Sequence, residues 1–416
     1  MANRPPGARA RQSSDGAWAV VVALLIALGL ASAGTYVNLP QMFRAPDAWT
    51  YDWRTAHLAP RVAAPHPDIL VVLIDDESLE EYQSRSPVDR RLQAALVSGL
   101  SAAGAKAIGL DFIYDRPSEE TADRELFSVL RTSRAPVIVG MLDDRSYGTD
   151  GRFQKNIDYQ SRMQAEVGRD GAHLYFAHER GSLTLGDQVV RYWLGPYGDS
   201  PPRKGLAHAL AVAGGYQPKH KVEGAQLIDW LRPPATGGYE YPFRTLKVRA
   251  HKPGASASEL FYAGWEDLVR GRLVLVGGDF PDRDRHLTPF SVKDQARVPG
   301  VTVHAQILAQ IIDGRKVRTL NLAAETMLLA AITLGAMLIA RRYSVGSGDF
   351  LVWLGGALGV FLIGVAAYGF LDLIIPSATL FLAWLAGLWA GHPPKGLVRL
   401  AGKLFPTSNF IEGGKS

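Results

Sequence analysis

Acidic residues gather where the buried, strand-like runs of this sequence stop. Asp75, Asp76 and Glu77 follow the apolar run Ile69–Ile74. Asp111 falls near the end of Ala107–Phe112, and Asp279, Asp282, Asp284 and His286 follow Leu273–Gly277. Open parallel sheets place their ligand crevices at the carboxyl ends of their strands. The candidate ligand-binding set is therefore Asp75, Asp76, Asp111, Asp284, His286 and His304. Three chemistries suit these residue types. Several carboxylate oxygens could hold a hard divalent cation. His286 and His304, which titrate near neutrality, could serve a polar-ligand or proton-sensing site. Alternatively, the acids could cap helices and accept from loop amides. Spacing leaves all three open, the metal included, and implies no cofactor and no catalytic residue.

Other chemistries find no support. The chain has no cysteine, which excludes a disulfide framework, a thiolate metal site and a Cys nucleophile. Val71–Glu77 superficially resembles the start of a phosphoacceptor receiver domain, but no lysine follows the strand that ends Val276-Gly277-Gly278. That Gly pair lacks the G-x-G-x-x-G spacing, and the acids after it would repel a phosphate. Ser78 has no histidine base at a telling spacing. Tyr175, Phe176, Tyr192, Trp193 and Tyr197 read as core, not as a stacking platform.

The elements that must position these residues follow from periodicity. After an amphipathic connector, Phe43–Leu58, Ile69–Ile74 is a strand buried on both faces. Asp89–Ala103 has apolar residues at helical spacing and ends at Gly104, and Ala107–Phe112 is again a strand. Strand, helix, strand predicts a βαβ unit with parallel pairing. Helix Ala122–Thr132 precedes strand Pro136–Leu142. Residues 143–180 have no clear period and read as a long excursion. Val189–Leu194 is a further strand candidate, Gly205–Ala213 a short helix, Leu273–Gly277 the last buried strand, and Val301–Asp313 a helix. The fold class is thus an α/β domain with a mostly parallel sheet, held on transmembrane helices.

The average composition, 47% hydrophobic and 20% charged, hides two very different parts. Apolar residues concentrate at Ala17–Gly34, Leu320–Ala340, Phe350–Leu371 and Leu373–Gly391, four candidate spans of the roughly 30 Å hydrocarbon core. The stretch ending the first, ALGLASAG, also suits signal-peptide cleavage, but the parity of the later spans favours its retention. Much of the +5 net charge flanks these segments: Arg4, Arg9 and Arg11, Arg341 and Arg342, then Lys395, Arg399 and Lys403. That distribution predicts membrane topology and no nucleic-acid partner. By the positive-inside rule, the tails 1–16 and 392–416 are cytoplasmic and residues 35–319 extracytoplasmic. Arg315, Lys316 and Arg318 oppose this orientation, yet a long loop translocates largely regardless of charge. Glu325 and Asp372 then fall near the outer interface. The localisation implied is the bacterial cytoplasmic (inner) membrane.

Tyr51-Asp52-Trp53-Arg54, Ile74-Asp75-Asp76, Gly109-Leu110-Asp111-Phe112, Asp284-x-His286-x-Thr288-Pro289 and Pro299-Gly300-Val301-x-Val303-His304-Ala305 occur in this order. Together they resemble the CHASE2 extracytoplasmic sensor domain over about residues 45–315. The resemblance implies sensing outside the cell and signalling through the following spans to a cytoplasmic cyclase or kinase. Here 25 residues follow Gly391, too few for such an output. The expectation is therefore a non-enzymatic, receptor-like subunit in the lipid bilayer that signals to a separate protein partner. A structural or assembly subunit that homo-oligomerises through its outer domain and spans, with Gly355, Gly356, Gly359 and Gly364 permitting close helix approach, is the first alternative. A metal-dependent periplasmic hydrolase is the second.

Overall fold

The computed structural model describes residues 21, 25–30, 41–82, 87–141, 154–168, 171–173, 189–196, 203–220, 222, 224–282, 284–343 and 350–391. The chain forms two compact units, Tyr51–Val317 and the remainder on either side of it. Helix α1, Gln41–Leu58, runs across the boundary between them in sequence.

The first unit is built on a parallel sheet. Its strands are β1 (His66–Asp75), β2 (Ala107–Leu110), β3 (Val137–Met141) and the three-residue edge strand β4 (Gly171–His173). A short antiparallel pair, β5 (Tyr192–Leu194) with β6 (Ala225–Leu227), stands apart from the sheet. Strands β7 (Phe243–Lys247) and β8 (Leu273–Asp279) complete it in the order β4-β3-β2-β8-β1-β7, and a two-residue antiparallel pair, β9 (Arg285–His286) with β10 (Val298–Pro299), follows in the chain. The central runs explain themselves. Leu70–Val72 and Leu273–Val276 are fully buried, as strands covered on both faces must be.

Two expectations about the sheet need correction. β1 and β2 are parallel but not paired, because β8 lies between them and bonds both. Local periodicity reads a strand's burial, not its partner, and three runs of similar composition are interchangeable on that reading. β7 escaped notice because Phe243–Lys247 alternates buried and exposed residues on an edge, with Arg244 and Lys247 in a five-residue strand.

The helices are α2 (Arg90–Ala102), α3 (Glu120–Thr132), α4 (Gln154–Val167), α5 (Leu206–Ala213), the short α6 (Ala257–Leu260) and α7 (Trp265–Val269), and α8 (Gly300–Asp313). The Asp89 carboxylate caps α2 by accepting from the amides of Arg91 at 2.7 Å and Leu92 at 3.3 Å. Gly104, at φ +85°, ends that turn as the sequence indicates. Helix α4 lies within the excursion 143–180, where no period was evident: Met163 and Val167 are buried, and its polar exposed face hid the period. The strand expected at Val189–Leu194 is real only from Tyr192 and belongs to the side pair.

The first unit is held at two further places. Tyr51 donates to the Ile228 carbonyl at 3.1 Å, and the buried Asp52 carboxylate accepts from Arg191 Nε at 2.8 Å and Nη2 at 2.5 Å. The amides of Gln306 and Gln310 on α8 bond backbone at Leu231, Asp229 and Leu227, each acting as a substitute strand edge.

In the second unit, α9 (Leu322–Tyr343) and α10 (Phe350–Leu371) are apolar helices of 22 residues, long enough to cross a membrane. Strand β11 (Arg318–Thr319) pairs in parallel with β12 (Leu373–Ile374), and α11 (Ser377–Gly391) follows. Against the expected four spans, the described residues contain two helices of spanning length. Residues 373–376 are spent on β12 and the turn through Pro376, leaving α11 only 15 residues. Of the expected span Ala17–Gly34, residues 21 and 25–30 are helical and the others lie outside the described residues, as do both tails. The Asp47 carboxylate on α1 caps α11, accepting from the Ala378 amide at 2.6 Å and the Thr379 hydroxyl at 2.8 Å. Gly356 receives the Trp384 ring, whereas Gly355 and Gly359 meet nothing within 4 Å.

Candidate functional site

Four of the six sequence-selected residues come together at the carboxyl edge of β2 and β8, around the first turn of α8. Asp111 directly follows β2, with its amide bonded to the Val276 carbonyl of β8 at 2.8 Å. Its carboxylate faces His304 one turn along α8, Oδ1 to Nε2 3.7 Å, and both side chains are about 95% buried, at 6% and 5% exposure. The other oxygen, Oδ2, is buried without a hydrogen-bond partner. Asp284 lies in the loop after β8 with φ +54°, and its Oδ1 stands 3.3 Å from His286 Nε2 on the two-residue strand β9 (Arg285–His286). The Gly300 amide, first in α8, donates to the Asp284 carbonyl at 2.9 Å.

Two glycines make this convergence feasible. A Cβ at Gly277 would lie 2.5 Å from the Val301 Cβ, so α8 can rest on β8 only because that side chain is absent. A Cβ at Gly300 would meet Asp284 Oδ1 at 2.8 Å and His286 Nε2 at 3.2 Å. Gly300 thus lets the Asp284–His286 pair sit against the helix start. Both glycines stand in the strings quoted above, whose spacing does not show this role. The signal was a Gly at a strand end and a second one opening an apolar helix.

The electrostatics single out Asp111. Burial, reinforced by the nearby Asp284 carboxylate, pushes its carboxyl well above the usual range. Asp284 and the helix start thus surround a group that keeps its proton to a pH above the ordinary carboxylate range.

Asp75 and Asp76 do not join this cluster. Asp75 aligns with Asp279 across β1 and β8, but its oxygens serve Ser78, at 2.8 Å from the hydroxyl and 2.9 Å from the amide, and Lys247 at 3.3 Å. Burial alone would raise it, yet the Ser78 bonds and the Lys247 ammonium outweigh burial and hold Asp75 below its usual value. Asp279 Oδ1 is held by Arg285 at 2.8 and 2.5 Å. Asp76 precedes the short helical turn Glu77–Leu79, and Asp282 is exposed. For Asp75, which accepts from the Ser78 amide, the loop-bonding reading fits. Lys247 and Arg285, the counter-charges of Asp75 and Asp279, were missed because nothing local marks them. Among the described residues, no three acidic or histidine side chains group so as to hold a metal ion.

No curated protein and no solved structure matches the chain. The CHASE2 domain matches over residues 20–340, which takes in the whole first unit and α9 through Ala340, and no effector domain is matched in the 416 residues. CHASE2 domains are sensors and usually non-catalytic. With most of its length matched, the chain belongs to the CHASE2 sensor-domain family.

Proposed function

We propose that this protein is a membrane-held, non-enzymatic sensor whose first unit lies outside the cytoplasmic membrane. It reads a polar signal, a ligand or the proton itself, at Asp111, Asp284, His286 and His304, and passes its state through α8 to a separate protein. The observation that carries this reading is the unpartnered, buried Asp111 oxygen facing His304 at the start of α8. A carboxylate oxygen buried without a partner is costly, and such groups concentrate at functional sites. Helix α8 ends at Asp313, and after eight intervening residues the long apolar helix α9 begins at Leu322. Arg341 and Arg342 in the last turn of α9 support a cytoplasmic position for that end, and hence an outer position for the first unit. Recovery of cross-linked partners from native membranes tests the reading: replacing Asp111 by Asn should change the yield of at least one partner. An unchanged set at unchanged yield refutes it.

A second reading, an assembly subunit, is favoured by one observation. Gly355 and Gly359, one turn apart on α10, are open to close approach by another helix. A ring of copies that cross-links regardless of the residue at position 111 would select that reading over the sensor.

A further inference from the structure

A second cleft lies at the opposite end of α8, away from Asp111. Lys219, His220, Arg315 and Lys316 line it together with Trp193 and Gln226, with no acidic side chain among the described lining residues; its cavity volume is about 30 Å³, and it opens to solvent. The donors here exceed the acceptors. Arg315 Nε donates to Asp313 Oδ2 at 3.0 Å and Nη1 to Asp229 Oδ2 at 2.7 Å, which fixes the guanidinium plane. Its Nη2 is buried and has no hydrogen-bond partner, and the same holds for Trp193 Nε1. Unmet buried donors are uncommon and call for an acceptor.

The charge balance points the same way. Asp229 and Asp313 lie outside the lining and accept from Arg315, and Asp313 Oδ1 lies 3.2 Å from His66 Nε2. Lys219 donates to the Asp313 carbonyl at 3.0 Å, and Lys316 is exposed, so neither ammonium pairs with a carboxylate among the described residues. A fixed guanidinium with a spare nitrogen, flanked by two mobile ammonium groups, is the donor set for a tetrahedral oxyanion with several acceptor oxygens.

We propose that this cleft binds a phosphate group, carried either by an anionic lipid headgroup or by a soluble phosphate ester. The lipid source is within reach along the chain. Lys316 precedes the first residue of α9 by six positions, a path of at most roughly 20 Å. Basic groups beside an apolar helix attract anionic headgroups. The site is separate from Asp111 and does not depend on the sensor reading.

The experiment uses the full chain in neutral detergent micelles, titrated in one arm with phosphatidylglycerol and in the other with glycerol phosphate, with bound probe counted by native mass spectrometry. Lys219→Gln with Lys316→Gln removes two exposed charges and should weaken binding about thirtyfold. Arg315→Gln should weaken it further, and hydrogen exchange of α8 would show whether the fold is intact. Binding in the lipid arm alone assigns the headgroup, and equal binding in both arms assigns the free ester. If wild type binds neither probe, or the double variant binds as tightly as wild type, the proposal is overturned.

Discussion

Replacing Asp111 by Asn should abolish a specific pH dependence of the first unit. The wild-type carboxyl is held well above the ordinary carboxylate range by burial and by Asp284. In that window the folded protein binds more protons than the unfolded chain, so stability is fully present below the ordinary value and falls as pH rises through the raised one. The loss can reach about 1.4 kcal/mol for each pH unit between the two values. His304, Asp284 and His286 all remain in the variant, so the difference between the two proteins isolates position 111. Hydrogen exchange of the β8 amides, Leu275 and Val276 above all, reports local stability without requiring the whole chain to unfold as one unit. After correction for intrinsic exchange, wild-type protection should decline relative to Asp111→Asn as pH rises above the ordinary carboxylate range and through the raised value. Above that value the variant should be the more protected. Parallel profiles would refute the claim that Asp111 is held protonated by its surroundings.

Three further outcomes follow from the same structure. Arg191→Met removes the guanidinium paired with the buried Asp52 carboxylate and should cost about 3–5 kcal/mol in denaturant unfolding, whereas Arg191→Met with Asp52→Leu should recover most of it; a double variant as damaged as the single one would show that the ion pair is not what matters. Gly277→Ala drives a methyl into Val301 and should destabilise the first unit by about 1–3 kcal/mol, with the exchange increase concentrated in α8. His208 is depressed to about 4, chiefly by burial and secondarily by Lys204, and its Nδ1 has no partner; stability should therefore rise with pH from about 4 to 6.5 by at most roughly 3 kcal/mol. His208→Phe should flatten that limb, which thermal melts across the range would reveal.

What the sequence made legible was local. Ile69–Ile74, Leu273–Gly277 and Val301–Asp313 announce themselves because apolar runs buried on both faces, and one helix buried nearly all round, leave an unmistakable composition. Ends marked by Asp89 and Gly104 were legible because capping is a short-range effect. Strand order was not: β8 slips between β1 and β2 from more than 150 residues downstream, and nothing in Leu273–Gly277 encodes that partner. The candidate site divided for the same reason. Asp111 and His304 meet across the sheet edge, while Asp75 is drawn off by Lys247 on a strand the periodicity did not show. The length of the last apolar segment misled because Leu373 and Ile374 are apolar enough for a helix but pair with Arg318 and Thr319 instead.

The central claim is that the state of Asp111 reaches the apolar helices through α8. The absence of native cysteine makes a single reporter straightforward. A nitroxide on Met327→Cys, an exposed position of α9, can be followed by electron paramagnetic resonance in lipid nanodiscs with Asp or Asn at position 111. At a pH high enough to ionise Asp111, the account predicts that Asp111→Asn changes the label's spectrum, and that a Gly-Gly insertion after Gly314 erases the change. Identical spectra with Asp and Asn at position 111 would contradict it.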